Sequence, residues 1–438
     1  MSDRPSEWDK YLLGSVLVIS LLIGGGTASG LYTDTLIQVV AIISAAAVFS
    51  QNSGQKIPRS VLWVLIFALA LAVLQIVPLP TAIFNELRPE LLLGDAWIGE
   101  SRFRFISVGV GRTVESLLYL LAAAAFFLAV LRLRAEQVSA LLPFFLMGVI
   151  CNGLAGAIQY SLSDNVAIAG LLPFTINAGL FANRNHFAAL LFVSIPFVVY
   201  YGLFRGHLLS CSLGLITLLL LLLAAGSRAG ILIGLAITVL SIVFLSARSR
   251  VSGLSILAIF IALSVYTIGA WTKIDVEALD PAFGRGEFAR TTMEGIKDNW
   301  ATGVGFGNFQ KAYQIYERES MIFQQYVNHA HNEYLEIAFE GGVPAILLMA
   351  GYFALLLAAL ARVRRDPLQK AAFLAVSFLL IHSLVDYPLR TEALATTFAY
   401  MNAIIFHQGF AERFSRKSEM IEIDHNGDKL LVPIGTSS

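Results

Sequence analysis

Charged residues are scarce in this chain. Asp, Glu, Lys and Arg make up 14% of its 438 residues, whereas hydrophobic residues make up 57%. An ordinary soluble domain has about 25% charged residues. The few charges are grouped between long apolar runs, which is the pattern of a helical protein that crosses a membrane many times. The formal net charge is zero, so we expect no nucleic-acid partner.

Cysteine is nearly absent, and the common cofactor motifs are missing. The 2 cysteines, Cys151 and Cys211, lie inside apolar runs and have neither a disulfide framework nor metal-site spacing. The chain has no Walker A motif, no HExxH sequence and no Asp-x-Asp pair in a loop predicted outside. Glycines alternate in 302–309, but no strand precedes them and the GxGxxG spacing is not met. We expect no metal and no cofactor, and predict that this glycine segment brings backbone close to a helix or a ligand.

About twelve apolar runs are long enough to be membrane-spanning helices. The predicted fold class is therefore an all-α polytopic membrane protein, a single integral membrane domain over residues 1–438. Two long loops, about 79–112 and 272–333, and a tail over 410–438 lie outside the helices; the second loop joins helices 9 and 10. The predicted helices are 11–29, 35–50, 60–78, 113–131, 138–160, 187–204, 208–225, 230–246, 252–271, 343–360, 370–386 and 392–408.

The distribution of Lys and Arg predicts the side on which each loop lies. If the N-terminus is cytoplasmic, the inside segments hold more than half of the 30 Lys and Arg residues, as the positive-inside rule requires. The two long loops are then outside, and such loops are translocated largely regardless of their charge. An even number of helices places both termini in the cytoplasm.

Three of the short outer loops nevertheless carry one arginine each, namely Arg184, Arg228 and Arg390. Such an arginine can anchor a helix end in the lipid headgroups, but a guanidinium can also bind two phosphate oxygens at once. Arg228 lies in a hairpin without another charge and is a candidate for phosphate binding. The polar side chains around Arg184, in 183–186, can equally cap the next helix. Arg390 is expected to pair with Asp386 in a tight turn.

The most polar stretch next to an apolar run is 329–344. It contains two histidines, an asparagine and three glutamates, and ionisable groups at membrane depth indicate function because they are costly there. His331 should lie just before a helix, with Asn332 as N-cap and Glu333 in the first turn. Histidine can act as a general base near neutral pH, although His331 can also merely help to cap the helix. His329 should point in another direction and support the site.

Three of these segments together resemble the O-antigen ligase and polymerase superfamily. They are Ser227-Arg228-Ala229-Gly230, the segment from Arg285 to Phe309 with its alternating glycines, and His331-Asn332-Glu333-Tyr334-Leu335 followed by Glu340-Gly341-Gly342. The His-Asn-x-x-Leu…Glu-x-Gly pattern is the most specific part. The resemblance covers about residues 181–351 and the general plan of the helices.

The resemblance implies a membrane glycosyltransferase of the bacterial inner membrane. Such proteins use a glycan on undecaprenyl diphosphate as donor and act on the periplasmic face without a metal. Arginines bind the diphosphate and a histidine lies near the acceptor hydroxyl, roles that fall by motif on Arg228, Arg285 and His331.

One departure from the family pattern leaves two arginines as candidates for contact with the diphosphate. The family often has tryptophan shortly after the arginine that matches Arg285, whereas this chain has Phe288 and Ala289. Arg290 therefore competes with Arg285 for contact with the diphosphate. The other candidate substrate-binding residues are Arg184, Asn332, Glu333, His329 and Arg390.

The expected function is that of an O-antigen ligase in lipopolysaccharide biosynthesis. It moves the glycan to a sugar hydroxyl of lipid A–core, with inversion and without a metal, in contact with membrane lipids. Arginines would stabilise the departing diphosphate, and a base would take the proton of the hydroxyl. A polymerase that joins lipid-linked repeats and a transporter of lipid-linked glycan are the alternatives. A transporter should have broken helices and charged residues near mid-membrane, whereas here the polar residues gather at one face.

Overall fold

Helices account for nearly all the regular secondary structure in the computed structural model of this protein. The structure describes residues 7–28, 30–51, 55–87, 102–162, 177–246, 266–269, 284–317, 327–364, 366–410, 422–423 and 429–430. In chain order the helices are α1 (Asp9–Ile23), α2 (Tyr32–Phe49), α3 (Arg59–Ile76), α4 (Thr81–Leu87), α5 (Val110–Arg132), α6 (Ala135–Ala140), α7 (Leu142–Ser161), α8 (Arg184–Phe204), α9 (Leu208–Ala225), α10 (Arg228–Ser246), α11 (Arg285–Asp298), α12 (Phe309–Tyr316), α13 (Glu333–Val363), α14 (Pro367–His382) and α15 (Glu392–Phe406).

Strands are minor elements in the described part of the chain. β1 (Leu79–Pro80) pairs antiparallel with β2 (Phe103–Arg104), and β3 (Glu422–Ile423) pairs antiparallel with β4 (Lys429–Leu430). A 3-10 turn at Pro388–Arg390 lies between α14 and α15.

The prediction of a helical, multi-pass membrane protein is confirmed. Among the described residues, 8 helices are long and apolar enough to cross a membrane, with α6 and α7 taken together as one. α14 is apolar but shorter. The predicted helix at 252–271 lies outside the described residues except for a helical turn at 266–269. The count of twelve, the positions of the loops and the tail over 410–438 stay predictions.

The beginning and the end of the bundle meet at one end of it, which we call the inner end. Glu7, just before α1, forms an ion pair of 2.5 Å with Arg134. His407, just after α15, places its Nε2 atom 2.8 Å from the carbonyl oxygen of Leu133. The start of α1 and the end of α15 therefore lie at the same end of the bundle.

The opposite end, which we call the outer end, brings three helix termini together. The amide of Ala393 donates to the carbonyl of Gly24 at 3.0 Å, and the amide of Ala182 donates to Gly25 at 2.9 Å. These bonds join the end of α1 to the starts of α8 and α15.

α8 lies at the centre of the bundle, where it packs against α9, α10 and α14. All of its side chains from His186 to Phe197 are buried. Asn183 caps its N-terminus by accepting a hydrogen bond from the amide of Asn185 at 2.8 Å. The polar residues at the start of α8 are therefore fixed at the outer end, because the helix that carries them is buried among its neighbours.

α13 begins at Glu333 and not at residue 343, where the apolar run suggested a start. Gly342 has φ 59° and ψ −156°, which is not helical, and the helix bends there. Pro344 follows and has no amide hydrogen to continue the ladder. The polar stretch is thus the first part of a bent helix. Glu333, Glu336 and Glu340, three and four residues apart, lie along one face.

The glycine segment 302–309 packs directly against this bend. Gly303, Gly305 and Gly307 have φ values of 71°, 94° and 78°, in the left-handed region that glycine adopts without steric cost. A Cβ atom on Gly303 would lie 2.3 Å from the carbonyl oxygen of Glu340. The amide of Gly305 donates to that same carbonyl at 2.9 Å. The prediction that this segment brings backbone close to a helix is confirmed.

Two buried amide side chains join the glycine segment to the rest of the outer end. Gln75, near the end of α3, donates to the carbonyl of Glu340 at 2.9 Å and accepts from the amide of Phe306 at 2.9 Å. Asn308 donates to the hydroxyl of Ser107 at 3.1 Å. α11, α12 and the glycine segment therefore form a layer that rests on the helix ends.

The orientation of the bundle predicts which positions an impermeant reagent can reach. Gln314 on α12 and Arg364 after α13 are exposed, at opposite ends of the molecule. In a chain whose Cys151 and Cys211 are replaced by serine, Gln314→Cys should react with an impermeant maleimide in intact spheroplasts. Arg364→Cys should react only after the membrane is opened. The reverse labelling pattern would invert the predicted topology.

Candidate active site

The polar side chains of the outer end converge on Asp386. The sequence suggested a helix over 370–386, but α14 ends at His382, so Asp386 lies in the following turn. Its side chain is fully buried, with 0% exposure. Asn185 donates to its Oδ2 atom at 2.5 Å, and the amide of Tyr387 donates to its Oδ1 atom at 2.9 Å.

Three cationic or titratable side chains surround the same carboxylate. Arg285 Nη2 lies 3.3 Å from Oδ2, while His331 Nδ1 and His186 Nε2 each lie 3.7 Å from Oδ1. Burial alone would raise the pKa of Asp386, but the neighbouring His186 and His331 imidazoles lower it well below its usual range. The carboxylate is therefore ionised at neutral pH. The fold thus brings Arg285 and His331, both predicted site residues, together around the carboxylate of Asp386.

His331 is held by its backbone as well as by its ring contacts. Its φ of 51° is in the left-handed region, which residues other than glycine seldom adopt and which occurs often at functional sites. Asn332 caps α13 by accepting from two amides of the first turn, at 3.0 and 3.1 Å, as predicted. The His331 ring stacks on Phe288 with centroids 5.7 Å apart. Phe288 thus supplies an aromatic ring in the stretch where the family often has tryptophan.

Tyr387 is the common neighbour of three histidine rings. Its ring centroid lies 4.0 Å from that of His329, 4.8 Å from that of His186 and 4.9 Å from that of His331. Tyr387 is buried, with 4% exposure, and burial raises the pKa of its hydroxyl. The hydroxyl therefore stays neutral.

Arg390 does not pair with Asp386, so that prediction is wrong. Its Nε lies 3.2 Å from Glu333, and its Nη1 lies 3.0 Å from Glu340 and 3.5 Å from Glu336. The physical reason is that the face of α13 offers three carboxylates to one guanidinium, whereas Asp386 is already paired with Arg285.

His329 has a different partner from His331, as its position two residues away predicts. Its Nδ1 atom lies 2.7 Å from Glu336 Oε1, and its ring lies over Tyr387. Glu333, a predicted substrate contact, has 3% exposure and accepts hydrogen bonds from within the protein.

The remaining arginines lie near the starts of helices at the outer end. Arg184 and Arg228 are the first residues of α8 and α10, and both are exposed. A Cβ atom on Gly226 would lie 3.9 Å from Nη1 of Arg184, so Arg184 reaches the hairpin that carries Arg228. Arg290 is 65% exposed and lies 3.8 Å from Glu287 on its own helix.

Comparison with known proteins finds a match in the central part of the chain. Residues 213–350 match the family model described as O-antigen ligase, so this segment is similar to that family. The matched segment runs from α9 into α13 and contains Arg228, Arg285 and His331, but it ends before Asp386. A search of curated proteins found no match to this chain.

Several groups at this site could not be recognised from the sequence. Asp386 was assigned to the wrong partner, and Tyr387 was not considered. His186 was interpreted only as part of a helix cap, although a histidine at the end of a membrane helix is a signal of function. Glu336 and Glu340 were noticed only as part of a polar cluster, because their common partner is 50 residues or more away along the chain.

Proposed function

We propose that this protein transfers a glycan from undecaprenyl diphosphate to a sugar hydroxyl at the outer end of the bundle. The observation that carries the proposal is the contact of His331 with a buried, ionised Asp386 that also binds Arg285. It combines a base, a group that orients the base and a cation within one site. The family match supports a membrane enzyme of this type.

His331 is well placed to act as the base. Its Nδ1 faces Asp386, so Nε2 is the nitrogen that can accept a proton from the acceptor hydroxyl. A buried carboxylate behind a histidine fixes its orientation and stabilises the imidazolium that forms. The hydroxyl oxygen forms a bond to the anomeric carbon and its proton passes to His331. The diphosphate leaves with the electron pair of the bond that breaks, and attack opposite the leaving group inverts the anomeric configuration.

The arginines supply the positive charge for the leaving group. Arg184 and Arg228 stand at helix N-termini, whose dipoles favour anions. Arg285 is 45% exposed while it holds Asp386, so its guanidinium can face both the site and an incoming diphosphate. A cluster of fixed guanidinium groups stabilises the departing charge, and this reaction therefore needs no metal.

The transporter alternative has one structural feature in its favour, the broken helix α13. In transporters, the backbone groups freed by such a break line a cavity for the substrate. Here the amide of Gly305 binds the carbonyl of Glu340 beside the break, and the amide of Val343 donates to Trp300 at 2.8 Å. The break is therefore filled by protein, which favours the enzyme.

A deletion strain distinguishes a ligase, which we propose, from a polymerase. Loss of a ligase should leave long glycan chains on undecaprenyl diphosphate in the inner membrane, because polymerisation continues without transfer. The measurement is electrophoresis and mass spectrometry of lipid-linked glycans and of lipid A–core. An accumulation of single repeats would assign the protein as the polymerase instead.

The role of His331 predicts a large and selective loss of activity. His331→Ala should lower the turnover of purified protein about 10²- to 10⁴-fold, the usual contribution of a general base. The assay measures transfer of the lipid-linked glycan that accumulates in the deletion strain, with a chelator present. His329→Ala is the matched control and should lose far less, since His329 contacts Glu336 and not Asp386. Full activity of His331→Ala, or loss of transfer on addition of the chelator, would contradict the mechanism.

The role of the arginines depends on their planar shape. Arg228→Lys and Arg285→Lys keep the charge but lose the two-point contact with phosphate oxygens, so both should raise the KM for the lipid-linked donor and lower turnover. Arg290→Lys should have a smaller effect because Arg290 contacts Glu287, away from Asp386. Membrane insertion is checked by the yield of folded protein. Normal turnover of both Arg228→Lys and Arg285→Lys would rule out binding of the diphosphate by these two arginines.

A further inference from the structure

Three carboxylates on one face of α13 each bind the backbone of a different segment. In every case one oxygen accepts a hydrogen bond from a main-chain amide, while the carboxylate also contacts Arg390. The amide of Ala330 donates to Glu336 at 2.9 Å, that of Leu389 to Glu333 at 3.0 Å, and that of Phe309 to Glu340 at 3.2 Å.

Two of these three segments carry parts of the candidate active site, and the third follows the glycine segment. Ala330 lies between His329 and His331, Leu389 follows Asp386 in the same turn, and Phe309 starts α12 after the glycine segment. The segments around Ala330 and Leu389 also touch each other, because Tyr387 contacts the rings of His329 and His331, and each segment gains one hydrogen bond to α13. The distance between His331 and Asp386 therefore depends in part on how firmly α13 holds the two segments that carry them.

Arg390 makes this arrangement possible electrostatically. The side chains of the three glutamates are 4%, 1% and 0% exposed, and that of Arg390 is 21% exposed. Burial removes the hydration of carboxylates, and carboxylates at this spacing also repel one another. A cation among them compensates for both costs. A guanidinium has five N–H donors and can bind several carboxylates at once.

We propose that Arg390, Glu333, Glu336 and Glu340 form a positioning cluster that fixes His331 relative to Asp386. This proposal rests on the proposed function, and it replaces the expectation that Arg390 and Glu333 bind substrate. The contacts support it, since three carboxylates already surround the guanidinium of Arg390, whereas Arg184 and Arg228 are exposed at the starts of helices.

The first test measures backbone hydrogen exchange, which does not depend on any activity. In Arg390→Met, peptides containing Ala330, Phe309 and Leu389 should all exchange faster than in the wild type, because one change loosens all three carboxylates. Arg112→Met is the matched control, since Arg112 forms an exposed ion pair of 3.3 Å with Glu115. It should leave the three peptides unchanged. Faster exchange at Leu389 alone would overturn the cluster.

The second test uses a neutral cluster. Arg390→Met combined with Glu333→Gln, Glu336→Gln and Glu340→Gln removes every charge but keeps an oxygen for each backbone amide. Buried ionic groups can often be replaced together by neutral ones, whereas removal of a single partner is costly. The combined variant should therefore restore slow exchange in all three peptides. If Arg390→Met alone does not fold, the exchange of the combined variant is measured instead.

The third test separates positioning from binding. With the lipid-linked glycan of the deletion strain as donor, Arg390→Met should lower kcat about 10²-fold, the cost of a small misplacement of catalytic groups. The KM for the donor should stay unchanged, and the neutral cluster should recover most of the lost kcat. A raised KM that the neutral cluster does not restore would assign Arg390 to donor binding and overturn the proposal. If His331→Ala were fully active, the proposed function would fail instead, while the exchange data would still report on the cluster.

Discussion

The burial of an ionised carboxylate at one end of an apolar bundle is the constraint on which the rest of this structure depends. A carboxylate that is shielded from water needs hydrogen-bond donors and positive charges around it; otherwise it takes up a proton and becomes neutral. Asp386 obtains them from the start of α8, from the first residue of α11, from the loop before α13 and from its own turn. Each of these elements must therefore lie within a few ångströms of one point. The same requirement explains why Asn185, Arg285 and His331 converge at the outer end.

A second constraint is that irregular backbone at membrane depth must have its hydrogen bonds satisfied by protein. α13 bends at Gly342, and this bend frees carbonyl and amide groups. The glycine segment and Gln75 bind them, and only glycine can approach so closely with positive φ. The bend in turn lets the first part of α13 present its glutamates to the loops around the site. The bend of α13 thus depends on the alternating glycines, which bind the backbone groups that the bend frees.

The structure also extends the site beyond the segment that matches the O-antigen ligase family. That match ends at residue 350, whereas Asp386, Tyr387 and Arg390 follow it in the chain. They return to the site because α13 and α14 run to the inner end and back. His331 and Asp386 therefore come from the two chain termini of one helical hairpin, and a change in either part should affect the other.

The amino-acid sequence by itself determined the class of the fold, the approximate positions of most helices and the grouping of several polar candidate residues. Those features follow from apolar runs and from isolated polar groups, which are local properties of a chain in a membrane. The N-cap at Asn332 and the close packing of the glycine segment could be predicted for the same reason. Only the tertiary structure decided the partners of the charges. The expected pairing of Arg390 with Asp386 was wrong because three glutamates compete for the guanidinium. Spacing along a sequence cannot show which of several buried charges meet, since long-range contacts depend on how the helices pack.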